Sequence, residues 1–138
     1  MDINISKFLK IITIALVFAF SLHITILKLL DFTMFENKII LAYSVNIILA
    51  IIIYIGFYKF KDLYKNQIGF VFIFGSFLKF TFFFLLFNSS YRIDGDISIL
   101  ESLAFFVPYF LCLIIEIFSM SKVLNQDKNS LDNYLGKN

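Results

Sequence analysis

The stretch IGFVFIFGSFLKFTFFFLLF, Ile68 to Phe87, decides the fold. It holds 15 Ile, Leu, Val and Phe residues and a single charge, Lys79. Wound as an α-helix at about 1.5 Å per residue, a run of this length covers about 30 Å, the thickness of a bilayer's hydrocarbon core. An isolated run that crosses lipid must satisfy its own backbone hydrogen bonds, and a helix does so. The lysine costs about 2.5–3.5 kcal/mol at a helix centre, while each strongly apolar residue contributes about 0.3–0.6 kcal/mol in favour. Insertion survives the lysine.

Three comparable runs surround it, about residues 8–30, 39–57 and 99–124. The chain as a whole is 60% hydrophobic and 16% charged, with a mean hydropathy of +0.88, beyond the range of soluble domains. The expected fold class is therefore all-α, a four-helix transmembrane bundle forming a single domain over residues 1–138. The first run follows Lys7 and Lys10 and contains Ala19-Phe20-Ser21, but it is too long for the apolar part of a signal peptide and is read as an uncleaved helix. The fourth run opens with Ser98-Ile99-Leu100-Glu101, a capping box, and carries Pro108 inside, where a kink is expected at the unpartnered carbonyl of Ala104. The polar stretch 125–138 has no apolar face and is read as a flexible tail.

The loop charges set an orientation. The amino terminus, the second-to-third connection and the tail carry eight lysines against four aspartates, whereas the opposite side carries three basic and five acidic residues. Basic residues near helix ends are retained on the cytoplasmic side, so both termini are expected in the cytoplasm. Abundant Phe, Ile, Lys and Asn, all with AT-rich codons, points to a bacterial inner membrane.

Several function classes are set aside. A net charge of +2, with the 20 Phe lying inside apolar runs, does not describe a nucleic-acid surface. One cysteine, Cys112, and one histidine, His23, give no metal-ligand spacing, and no cofactor is implied. Asn88-Ser89-Ser90 reads as a loop and Asp94-Gly95-Asp96 as a turn without the remaining ligands of a calcium loop. No nucleophile with a base, phosphate loop or catalytic carboxylate pair is present, so an enzyme is not expected.

Two charges inside the membrane remain, Lys79 and Glu116. On helical rise, Lys79 lies about 16 Å from the cytoplasmic end of its helix and Glu116 about 10 Å from the same surface, a difference a lysine stem can bridge. Tyr109, Cys112, Glu116 and Ser119 form one stripe on the fourth helix, and Gly69, Phe72, Ser76, Lys79 and Phe83 one on the third. An ion pair between Lys79 and Glu116 follows. Its role is either packing and registry within the bundle or transfer of a proton or cation. Ala15, Ala19 and His23, and Ala42, Asn46 and Ala50, form small-and-polar stripes on the first two helices that permit close approach. His23 and Asn46 are read as hydrogen-bonding bundle residues, Asn46 as an interhelical link.

Lys65-Asn66-Gln67-Ile68-Gly69-Phe70 and Gly75-Ser76-Phe77-Leu78-Lys79, with Pro108-Tyr109-Phe110, Glu116 and Lys122-Val123-Leu124-Asn125, resemble a family of small four-helix membrane proteins of Flavobacterium-like bacteria. Genes of that family tend to lie beside those for F-type ATP synthase membrane subunits. More loosely, the chain is similar to ATP synthase protein I, a four-helix accessory protein that assists rotor-ring assembly and is linked to magnesium supply. The resemblance covers residues 65–125 and implies a non-enzymatic accessory or assembly factor, with the bilayer and ATP synthase membrane subunits as partners, or a second copy of itself. The competing expectation is a small transporter in which Glu116 loads and releases a proton or cation beside Lys79.

Overall fold

A computed structural model describes residues 3–35, 37–63, 67–88 and 98–136, and these are helical with short connections. The helices are α1 (Ile3–Leu29), α2 (Ile39–Phe60), α3 (Ile68–Phe83, prolonged by one π-helical turn, Phe84–Asn88) and α4 (Ile99–Leu135). All four are long and apolar enough to cross a membrane. Ser89, Ser90 and the Asp94-Gly95-Asp96 turn lie outside the described residues.

The ends follow local chemistry. Helix α1 closes in a Schellman motif: the N–H of Phe32 donates to the Leu27 carbonyl at 2.9 Å and that of Asp31 to Lys28 at 3.2 Å. Asp31 sits between them in the left-handed region (φ 57°), which aspartate tolerates better than most residues. Helix α4 opens on the expected capping box. Glu101 N–H donates to Ser98 Oγ at 3.2 Å, and Ser98 N–H to Glu101 Oε2 at 2.7 Å.

Two boundaries differ from the sequence reading. Helix α1 begins at Ile3, ahead of Phe8, and α4 does not stop at Leu124 but runs unbroken through Pro108 to Leu135. Between Asn125 and Leu135 no glycine or proline interrupts the chain, and Gly136 ends it with its N–H on the Asp132 carbonyl at 2.9 Å. The extension is also tied to the bundle. Lys61, just beyond α2, is ion-paired to Asp127 and lies 3.5 Å from Asp62. Burial alone would lower the Lys61 ammonium, but the hydrogen bonds and charges of Asp127 and Asp62 outweigh it and hold it above the ordinary lysine value.

The Lys61–Asp127 pair fixes α2 and α4 as parallel neighbours, and these two make the most extensive helix–helix contact in the molecule. Helices α1 and α3 each lie against that central pair. One apolar core joins α1, α2 and α4 through Phe8, Ile12, Leu16, Tyr54 and Val123, with the Phe8 and Tyr54 rings stacked at 3.8 Å. A smaller one joins α2, α3 and α4 through Ala42, Phe83, Phe105 and Tyr109. The outer faces of α1 and α3 keep large exposed apolar side chains, among them Ile14, Phe18, Phe70, Phe74 and Phe77, the surface lipid requires.

Candidate functional site

Helix α3 buries a narrow stripe, Gly75, Lys79 and Phe83, spaced by four residues so that they stack on one face. The absent side chain of Gly75 sets how near α3 comes to α2, because a Cβ there would stand 2.9 Å from Cγ2 of Ile53. One turn along, that close approach delivers Lys79 into the bundle. Helix α4 presents Ala104, Phe105, Pro108, Tyr109, Cys112, Glu116 and Met120 as its buried face.

Lys79 and Glu116 meet where these faces meet. Lys79 Nζ donates to Glu116 Oε2 at 2.6 Å, and the two side chains are 0% and 1% exposed. The Tyr109 ring flanks the ammonium, its centroid 5.9 Å from Nζ, at the outer range of a cation–π contact. The charges neutralise each other inside a buried interface, where either alone would be strongly unfavourable.

The register of the central helices shows what faces the carboxylate. The offset that pairs residue 61 with 127 sets Asn46 level with Cys112 and Ala50 level with Glu116. Two further contacts agree with it: Ala42 shares a cluster with Phe105 and Tyr109, and Cys112 is within electrostatic reach of Tyr43, Lys79 and Glu116. Ala50 is 0% exposed. Asn46 is also fully buried, but it makes no interhelical link. Its Nδ2 returns to the Ala42 carbonyl of its own helix at 2.9 Å, because an amide one turn on reaches that carbonyl more easily than a partner helix. Asn46 Oδ1 and Glu116 Oε1 are both buried and accept no hydrogen bond from the described residues.

The other predicted positions divide. His23 joins α1 to α2 through Nδ1 and the Tyr43 hydroxyl at 3.2 Å, away from the ion pair in sequence depth. Ser76 is half-buried and its hydroxyl donates to the Phe72 carbonyl at 3.2 Å, so it serves its own helix. Pro108 and Tyr109 are buried beside the pair's helix face. Gly69 is exposed and Ala15 only half-buried, because the α1 stripe that packs is Phe8, Ile12 and Leu16. Tyr43 was not singled out, and Gly75 only within the resemblance, whereas Ala50 belonged to the expected small stripe of α2. Gly75 could have been found from its four-residue spacing to Lys79. Among the described residues no three His, Cys, Asp or Glu side chains gather as a metal site requires.

Comparison with protein-family models, curated proteins and solved structures finds no match. The site is therefore read from its own chemistry.

Proposed function

We propose that this chain is a non-enzymatic protein of the bacterial inner membrane, with both termini in the cytoplasm, that acts as an accessory or assembly factor for another membrane protein. The observation that carries this reading is the enclosure of the Lys79–Glu116 pair, 0% and 1% exposed. A pair so sealed locks α3 to α4, while the outer faces of α1 and α3 stay apolar and available to a partner helix. The orientation rests on the excess of lysine at the terminal end. The family resemblance names the first partner to test, the membrane subunits of the F-type ATP synthase; a second copy of the chain is the other. Tagged protein extracted in mild detergent should copurify with those subunits, and deletion should impair rotor-ring assembly. Neither effect, together with normal ring assembly, removes the ATP synthase from consideration.

A second reading is favoured by one observation, the two buried acceptors Asn46 Oδ1 and Glu116 Oε1 without partners among the described residues. About one helical turn apart in level, they are suited to passing a proton or cation beside Lys79. Purified protein in liposomes should then carry proton-coupled flux that Glu116→Gln abolishes. Flux that persists in that variant, or none in the native chain, excludes this reading.

A further inference from the structure

A cleft opens between α1 and α4 toward the end of the bundle that carries the termini. Asn4 and Lys7 of α1 form one wall, Ser119 and Lys122 of α4 the other, and Phe8 and Ile11 the floor toward the apolar surface. Its free volume is about 60 Å³, which admits a phosphate-sized group and leaves the rest of a larger molecule outside. Lys7 and Lys122 both reach solvent, and neither has an ion-pair partner among the described residues. Two cations therefore face one cleft. Tyr54, which also lines it, is 1% exposed.

We propose that this cleft binds the phosphate of an anionic phospholipid headgroup. Its polar groups are two ammonium donors, a carboxamide and two hydroxyls, all able to donate to phosphate oxygens. Its level matches as well: Lys7 immediately precedes the apolar run of α1, where headgroups meet hydrocarbon, and Ile11 is 52% exposed beside it. An acyl chain can continue from the bound phosphate along that side. Basic pockets between membrane helices select anionic headgroups for this reason. Free phosphate shares the charge but gains nothing from the apolar floor.

The test uses the full chain in mixed micelles of phosphatidylglycerol and phosphatidylcholine, with lipids retained on the protein counted by native mass spectrometry. Phosphatidylglycerol should be retained preferentially. Lys7→Gln with Lys122→Gln should weaken its retention about thirty-fold, equivalent to about 2 kcal/mol for two surface cations, and either exchange alone about five-fold. Lys7→Arg with Lys122→Arg should keep it. Lys10→Gln with Lys128→Gln, the same charge change nearby, should leave it unaltered. Equal loss in that last pair means diffuse attraction and overturns the site, as does equal retention of phosphatidylcholine. Displacement of the lipid by millimolar inorganic phosphate overturns the lipid assignment and leaves a free-anion site. Circular dichroism checks that each variant keeps its helices.

Discussion

Gly75 and Ile53 hold α3 against α2 at a distance that excludes even one methyl group, since a Cβ on Gly75 would fall 2.9 Å from Cγ2 and 3.1 Å from Cγ1 of Ile53. Ile53 is branched at Cβ and 8% exposed, so it has little freedom to yield. Gly75→Ala should destabilise the bundle by about 1–3 kcal/mol, the usual range for overpacking. Unfolding in denaturing detergent measures it. In an Ile53→Ala background the same exchange should cost much less, and a cost that is unchanged there refutes the contact as the cause.

Removing one member of the Lys79–Glu116 pair strands the other charge. Lys79→Met and Glu116→Leu should each destabilise by about 3–5 kcal/mol, whereas the two together should recover most of that loss, because no buried charge then remains. Additive damage in the double variant disproves the pairing.

The Lys61–Asp127 contact predicts an alkaline sensitivity. The ammonium is held above its ordinary value of 10.5 in the folded protein, so its contribution is complete below that value and is lost as pH rises through the higher folded value. The native chain should lose stability in this window relative to Lys61→Gln. Unfolding followed from pH 8 upward, native minus variant, isolates the effect from the tyrosines. Parallel curves throughout contradict it.

Asn46 tests whether the central interface is dry. With Oδ1 buried and without a partner among the described residues, Asn46→Leu should raise stability by about 1–3 kcal/mol, the desolvation penalty that the amide oxygen no longer incurs. A marked fall instead places a water or a transported ion on that oxygen and turns the balance toward the pathway reading.

The capping box gives the smallest effect. Ser98→Ala removes the acceptor for the Glu101 N–H and should lower stability by about 0.5–2 kcal/mol. Amide exchange should accelerate over residues 99–102 and not at Glu116.

What could be read from the chain was what lipid imposes. Apolar runs of bilayer length announce helices with little ambiguity, and a lone lysine and a lone glutamate in adjacent runs must find each other or another partner. The stripe Ala42, Asn46 and Ala50 was legible for a related reason, since small residues repeated every four positions mark a close approach. Outside the hydrocarbon this logic lapses. The last turns of α4 have no apolar stripe, and what ties their start to the bundle is Lys61 at Asp127, which had been counted only as a positive charge. Which glycine matters was equally hidden: Gly69 and Gly75 lie less than two turns apart, but only Gly75 faces Ile53. The direction of the Asn46 amide depends on rotamer competition with its own helix, which no residue pattern encodes.

The separation of Lys79 and Glu116 along the chain, 37 residues, also has a consequence in time. At about 5–20 residues per second, translation brings the glutamate about 2–7 s after the lysine. During that interval helix α3 must enter or wait at the bilayer with an unneutralised cation. The second hairpin thus becomes a fully neutral unit only once α4 is synthesised as far as its middle, so α3 enters the bilayer on its apolar residues alone and the ion pair closes afterwards.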